Sequence, residues 1–279
     1  MNILSAVSET AIITLKSRVQ ETQRENPVIQ DAVAGECLEK IHSLLPTEVA
    51  ERLIDQKLST TLSRHIALRA RKYDGDTSAF MEQHPDGLVV SLGCGFDTRY
   101  WRVINKPWKY VEIDLPPVIA AKNEILKDKI DYLTIGCSVL EESWIEKVAA
   151  IQDKQVLFLA EGLLMYLPQE QVEDLFRKLS ETFSESMIVF EVVNKKQTQG
   201  LWKKIVELKM KQSTRTTAGS SYAFGVYDAS EIETFGRNIQ VIEEWSYFED
   251  EDIEPKILGK FKNMKLMSRT QWTVKAKIG

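Results

Sequence analysis

The stretch Leu88-Val89-Val90-Ser91-Leu92-Gly93-Cys94-Gly95-Phe96-Asp97-Thr98-Arg99 decides how the chain is read. Its first five residues are mostly apolar and partly β-branched, and they end abruptly on Gly-x-Gly. This is the pattern of a buried parallel strand running into a tight turn. Glycine suits Gly93 and Gly95 because a residue without Cβ lets the backbone turn sharply and lie against a ligand. A helix is expected next, its free N–H groups facing the same crevice. Three ligand classes use such a turn. A P-loop is excluded because no Gly-Lys-Ser/Thr follows, and a nicotinamide site wants a third glycine where Thr98 stands. Asp97 would repel a pyrophosphate. It suits a phosphate-free cofactor with positive charge on an amino group and a sulfonium, which is S-adenosyl-L-methionine.

Working outward, the pattern from Leu88 alternates between strands and helices. Strands are expected at 88–92, 109–113, 131–135, 155–160 and 186–192, with two later ones at about 239–246 and 268–275. Such alternation implies an α/β fold with a doubly wound parallel sheet. Residues 1–84 read instead as helices: one capped by Ser8, one over Val28–Leu45, one from Thr47 through Leu58, and one over Leu62–Tyr73. The chain therefore divides into an N-terminal helical cap, 1–84, and a cofactor-binding domain, 85–279. Between the fifth and sixth strands a segment at about 195–227 falls outside the minimal sheet and reads as a lid. Trp202, Tyr222, Phe224 and Tyr227 give it aromatic surface suited to a flat ring.

With 43% hydrophobic and 28% charged residues, the 279-residue composition is that of an ordinary globular protein. A net charge of −5 argues against a nucleic-acid surface spread over the fold. Cys37, Cys94 and Cys137 form no CxxC pair, and His42, His65 and His84 lack metal-ligand spacing, so no metal site is expected. The odd cysteine count and the lack of a secretory signal predict a reduced, cytoplasmic protein. No membrane span is expected, because the longest apolar run, Val156–Leu167, is too short and is broken by Glu161 and Gly162.

Three further positions bear on chemistry. Glu112 and Asp114 are two apart on the second strand and share a face. An acid about 20 residues beyond a glycine turn is where ribose hydroxyls are held, and Asp114, at the strand end, is the better placed of the two. Glu161 ends the fully apolar strand Val156–Ala160 and should face the Gly93–Asp97 turn across the crevice, or else form a salt bridge to an arginine of the N-terminal helices. Gly136-Cys137-Ser138-Val139 follows the third strand, where an adenine edge is read. Arg64, Arg69, Arg71 and Lys72 on one helix are open to a bland reading as a solvated basic face.

Leu92-Gly93-Cys94-Gly95-Phe96-Asp97-Thr98-Arg99, Tyr110-Val111-Glu112-Ile113-Asp114-Leu115-Pro116 and Ala160-Glu161 with Tyr166 resemble the leucine carboxyl methyltransferase family. Thr10, Leu15, Arg18, Pro27, Asp31 and Arg69-Ala70-Arg71 resemble its N-terminal pattern. Ser138 followed by Trp144 is closer to its tetracenomycin-type polyketide O-methyltransferase branch. The resemblance implies a Rossmann-like methyltransferase fold of seven strands, the last inserted antiparallel. It also implies that Arg69, with Arg18 or Lys16, grips the cofactor's methionine carboxylate, with Gly93 beneath it. Asp114 would hold the ribose, Ser138 and Val139 the adenine, and Glu161 the methionine end. The expected activity is S-adenosylmethionine-dependent O-methyl transfer to a hydroxyl or carboxylate of a small, polyketide-like acceptor. The alternatives are a protein C-terminal carboxyl methyltransferase and an inactive cofactor-binding protein.

Overall fold

In the computed structural model, which describes residues 9–103, 109–200, 204 and 221–279, the Leu88–Leu92 strand (β1) is buried along its whole length. It pairs in parallel with β2 (Lys109–Asp114) on one side and β4 (Val156–Ala160) on the other. β3 (Leu133–Gly136) and β5 (Ser186–Val193) extend the sheet outward, and the order is β3-β2-β1-β4-β5-β7-β6. β7 (Gln271–Ile278) lies antiparallel between β5 and β6 (Gln240–Trp245), as expected for the last strand. It starts later than the sequence suggests because residues 265–268 wind into a helical turn. Winding direction reverses between β1 and β4, so the chain leaves a crevice outside their carboxyl ends.

Two helical layers cover the sheet. Alternation along β1 sends Leu88, Val90 and Leu92 to one face, where they join Trp144 of α7 (Ser143–Ile151) and Phe176 of α8 (Gln169–Thr182). Val89, Leu157, Leu159 and Val189 point to the other face and pack on Tyr73, Phe80 and Met81 of α4 (Thr60–Gln83). The last helix before residue 84 thus shares a core with the sheet. The helical region opens with α1 (Glu9–Thr22) and α2 (Ala32–Leu44), both shorter. α2 begins at Ala32 rather than Val28 because Asp31 caps it, accepting from the Ala34 N–H at 3.0 Å. The helix expected through Leu58 is only α3 (Thr47–Ala50) with a π-turn over Glu51–Asp55. There Lys16 Nζ donates to the carbonyls of Leu53 and Gln56, satisfying its end.

α5 (Arg99–Val103) and α6 (Pro116–Leu126) follow β1 and β2. Lys122 of α6 is fully buried and pairs with Glu112 of β2 at 2.7 Å. It also donates to the Asp97 carbonyl at 2.6 Å, so it clamps the turn after β1 onto the neighbouring strand. Among the described residues no helix is long and apolar enough to cross a membrane, and no cluster of His, Cys, Asp and Glu could hold a metal. Ser8 and, of the segment read as a lid, 201–203 and 205–220 with Trp202 lie outside the described residues. Within its described part, Phe224 is wholly buried in the sheet core and Tyr227 is 55% exposed. The reading of Phe224 as ligand-facing is therefore corrected: it packs against Phe235 instead.

The buried pair sets a test. Lys122→Met should lower unfolding free energy by about 3–5 kcal/mol, since it strands a carboxylate in the core. Glu112→Gln with Lys122→Met should recover most of that loss in a urea-denaturation double-mutant cycle.

Candidate functional site

The carboxyl ends of β1, β2 and β4 border a cavity of about 310 Å³, within the size range of small-molecule sites. Its floor is the Gly93–Asp97 turn. Gly93 has φ +63° and Gly95 φ +50°, a region that costs other residues strain. A Cβ on Gly93 would stand 2.8 Å from Leu163 Cδ1, so the turn is open only because no side chain is there. The Gly93 and Cys94 amides donate to the Ile113 carbonyl at 2.8 and 3.2 Å, locking the turn to β2.

Asp114 ends β2 beside this turn. One oxygen accepts from the Gly95 N–H and the other from the Leu115 N–H, each at 2.7 Å. A carboxylate has about four acceptor positions, so two remain for vicinal hydroxyls. Burial raises its pKa, opposed by these amides. Glu112, which shares the strand face in sequence, is spent on Lys122 inside the core and does not reach the cavity.

Glu161 satisfies both of its sequence readings at once. It lines the cavity opposite the glycine turn, and it pairs with Arg69 at 2.9 Å and with Arg99. Burial alone would raise its pKa, but Arg69 and Arg99 hold it below the usual carboxylate range. Arg69 is not part of a solvated basic face, and neither is the buried Arg64. The resemblance has Arg69 grip a ligand's carboxylate, and part of its guanidinium is engaged within the chain. Its Nε and Nη1 already face Glu161 and Glu191, the latter at 3.1 Å. A guanidinium this deep takes counter-ions from its own chain, which leaves Nη2, near Gly162, as the fork's open arm.

Arg18 also lines the cavity, bonded to Asp31 at 2.9 Å and to the Phe96 carbonyl at 2.7 Å. Asp97 is held by Arg99 and Arg102, and its Oδ1 accepts from the Thr98 N–H at 2.8 Å. Burial would raise its pKa, but these arginines drive it far below the carboxylate range. Ser138 and Val139 are not brought to this cavity. They follow β3, one strand farther from the β1–β4 gap. Ser138 is turned into its own loop, where its amide donates to Glu141 and its hydroxyl accepts from the Leu140 N–H. The side chains beyond Asp114 that do reach the cavity are Leu115 and Val118.

Sequence reasoning gave no role to Arg99, Arg102, Asp74 or Glu191. Arg99 and Arg102, in the segment after Asp97, are three apart, a helical spacing that signals a shared face. Glu191 ends the apolar run Met187–Phe190, the same signal that singled out Glu161. Of the charged side chains bordering the cavity, Asp97, Asp114 and Glu161 stand against Arg18 and Arg69, three negative against two positive. That surplus fits a ligand with positive charge better than a phosphate.

A family model described as leucine carboxyl methyltransferase matches residues 11–180. The tetracenomycin polyketide synthesis O-methyltransferase TcmP of Streptomyces glaucescens is 28% identical over 244 residues, 87% of this chain and 84% of that protein. The S-adenosyl-L-methionine-dependent methyltransferase dpfgK of Gibberella zeae is 25% identical over 198 residues, 68% of this chain and 65% of that protein. Among solved structures, magnesium protoporphyrin IX methyltransferase from Synechocystis, with bound SAH, overlaps 86% of this chain and 98% of its own at 10% identity and a TM-score of 0.48.

The depressed acids make stability fall with acid. Burial would raise Asp31 too, but Arg18 and Arg102 hold it below its usual value. A carboxyl whose folded pKa lies below its unfolded value contributes fully above about pH 4, and the contribution drains away as pH falls through the folded value. Urea midpoints should therefore drop steeply below about pH 4. Asp31→Asn should start lower and fall less steeply, by up to about 1.4 kcal/mol per pH unit.

Proposed function

The chain belongs to the leucine carboxyl methyltransferase family, and from that premise we propose that it transfers a methyl group from S-adenosyl-L-methionine to an oxygen of a small molecule. The observation that carries the reading is the crevice itself. Two left-handed glycines open its floor, Asp114 stands at the strand end with spare acceptor positions, and its charged border is one unit negative. Transfer to oxygen, and a small acceptor, are supported by the likeness to TcmP.

These residues fit the cofactor. Asp114 can take the two ribose hydroxyls, which a neutral amide would hold less well. Asp97 and Glu161 offer negative charge for the amino group. Arg18 and the open Nη2 of Arg69 offer donors for the carboxylate. Leu115 is 52% exposed at the cavity edge, and with Val118 it gives a flat base an apolar surface. In this assignment Leu115 and Val118 replace Ser138 and Val139.

Bound in this way, the cofactor supplies a methyl carbon already made electrophilic by its sulfonium. The chain then has to orient an acceptor oxygen in line with that carbon and keep water away. Arg69 is central to orientation, because it is fixed between Glu161 and Glu191 at the wall of the cavity. A carboxylate acceptor would need no base. A phenol, with an unperturbed pKa near 10, needs a neighbour that accepts its proton.

S-adenosylmethionine and S-adenosylhomocysteine should raise the melting temperature, while NAD, NADP and ATP should leave it unchanged. At about 100 times the dissociation constant the stabilisation is about 2.7 kcal/mol. Asp114→Ala should weaken cofactor binding by about 10- to 100-fold in titration calorimetry, the value of hydrogen bonds to a charged group. Label from methyl-labelled cofactor should enter phenolic or carboxylic small molecules. Label in an intact protein partner instead would favour the C-terminal carboxyl reading, and a shift with NAD alone would overturn the family-based assignment of cofactor.

A further inference from the structure

A second cavity, of about 300 Å³, adjoins the first. The two share Arg69, Tyr166, Tyr222 and Gln271 as a common wall. Away from that wall the second cavity is bounded by Trp245 and Tyr247, at and just beyond the end of β6, and by His65 of α4. Half of its lining residues carry rings. Tyr166 and Tyr222 sit 5.8 Å apart at the junction, and Tyr247 stacks on His65 at 4.3 Å. Such surfaces favour a flat ring over an extended chain.

Two buried atoms on residues lining this cavity lack hydrogen-bond partners: Nε2 of His65 and Oε2 of Glu191. The Glu254 backbone favours the protonated ring of His65, as an acceptor does; with Nε2 unpartnered, we assign the hydrogen of the neutral ring to Nδ1, which leaves Nε2 as the acceptor. Burial lowers the pKa of His65 to about 4, which keeps it neutral. Glu191 Oε1 accepts from Gln271 at 2.9 Å. The carboxylate also takes a backbone hydrogen bond from Gly162, and its Oε2 pairs with Arg69 at 3.1 Å. A carboxylate has about four acceptor positions, so Glu191 keeps room for a further donor, as His65 Nε2 does. Among the described residues, Arg69 is the one lysine or arginine lining this cavity, and it stands between two acids. An anionic acceptor would meet, among the described residues, Arg69 alone as a cation, already paired with Glu161 and Glu191 and with its open arm assigned to the cofactor carboxylate.

We propose that this second cavity holds the methyl acceptor, and that the acceptor is a small, flat, uncharged aromatic ring bearing hydroxyl groups that donate to Glu191 Oε2 and His65 Nε2. The assignment rests on the methyltransferase reading of the first cavity. Glu191 stands at the shared wall through its pairing with Arg69, so a hydroxyl bound to it is the one nearer the first cavity. As that hydroxyl's oxygen gains the methyl carbon, its proton passes to Glu191 Oε2. The carbon–sulfur electron pair stays with sulfur. A cation, a carboxylate and a phenol thus become a thioether, a carboxylic acid and an ether, with no charge left unbalanced.

The test is binding rather than turnover. With the protein saturated by S-adenosylhomocysteine, 1,8-dihydroxynaphthalene should quench tryptophan emission through Trp245 and Trp272, and 1-naphthoate should bind at least about 10-fold more weakly. His65→Phe keeps the stack on Tyr247 but removes the acceptor, and should weaken the diol about 10-fold while changing S-adenosylhomocysteine affinity less than about 2-fold. Glu191→Gln should weaken the diol similarly and reduce the preference for diol over naphthoate. Naphthoate binding as well as the diol, or a diol affinity indifferent to both substitutions, would overturn the proposal. Loss of S-adenosylhomocysteine binding in the unsubstituted protein would instead refute the methyltransferase reading beneath it.

Discussion

Around the crevice, buried charge is tolerated because it is threaded into one alternating chain. From one end, the pairs run Glu191–Arg69–Glu161–Arg99, then through Asp97 and Asp74 to Arg102, and on through Asp31 to Arg18. An isolated ion at this depth would be too costly to bury, and removing one member of such a pair typically costs about 3–5 kcal/mol. The order of the chain matters as much as its strength. Arg18, Asp31, Arg69 and Asp74 come from the N-terminal helical region, whereas Asp97, Arg99, Arg102, Glu161 and Glu191 come from the sheet and its crossovers. The pairs therefore fix the helices over the open ends of β1, β4 and β5.

The same chain sets the electrostatics of the crevice. Its five carboxylates face four guanidiniums, and the surplus negative charge lies where Asp97 and Glu161 border the cavity. Burial and neighbouring cations push against each other at Asp31, Asp97, Glu161 and Glu191. Asp97 and Glu161 end below the usual carboxylate range because two arginines serve each of them. Glu191, at the end of the chain with one arginine, ends above it, because burial outweighs Arg69. A terminal acid that holds its proton more readily than its neighbours is the one suited to receive another group's proton.

Arg69 links the two cavities mechanically as well as electrostatically. It sits on α4, whose next turns carry Tyr73 and Phe80 into the sheet core, so its backbone is anchored by packing rather than by loop geometry. One turn earlier on the same helix is His65. A ligand in either cavity thus meets a wall built on a 24-residue helix, which suits a reaction that depends on alignment.

The sequence by itself determined what is local. Period-two and continuous apolar runs named all seven strands, because side-chain direction in a strand repeats every two residues whatever the rest of the chain does. The glycine turn, Asp114 and Glu161 were legible for a related reason: each ends an apolar strand, and strand ends at the switch of winding direction are where a crevice must lie. The tertiary structure decided what depends on distance. Whether Arg69 is solvated or buried, whether Glu161 serves a ligand or a salt bridge, and that Phe224 belongs to the core while Ser138 and Val139 stay away from the crevice all follow from how helices settle on the sheet. Partners such as Arg69 and Glu161 stand 92 residues apart in the chain. No periodicity carries information over that span, and only packing could choose which buried charges meet.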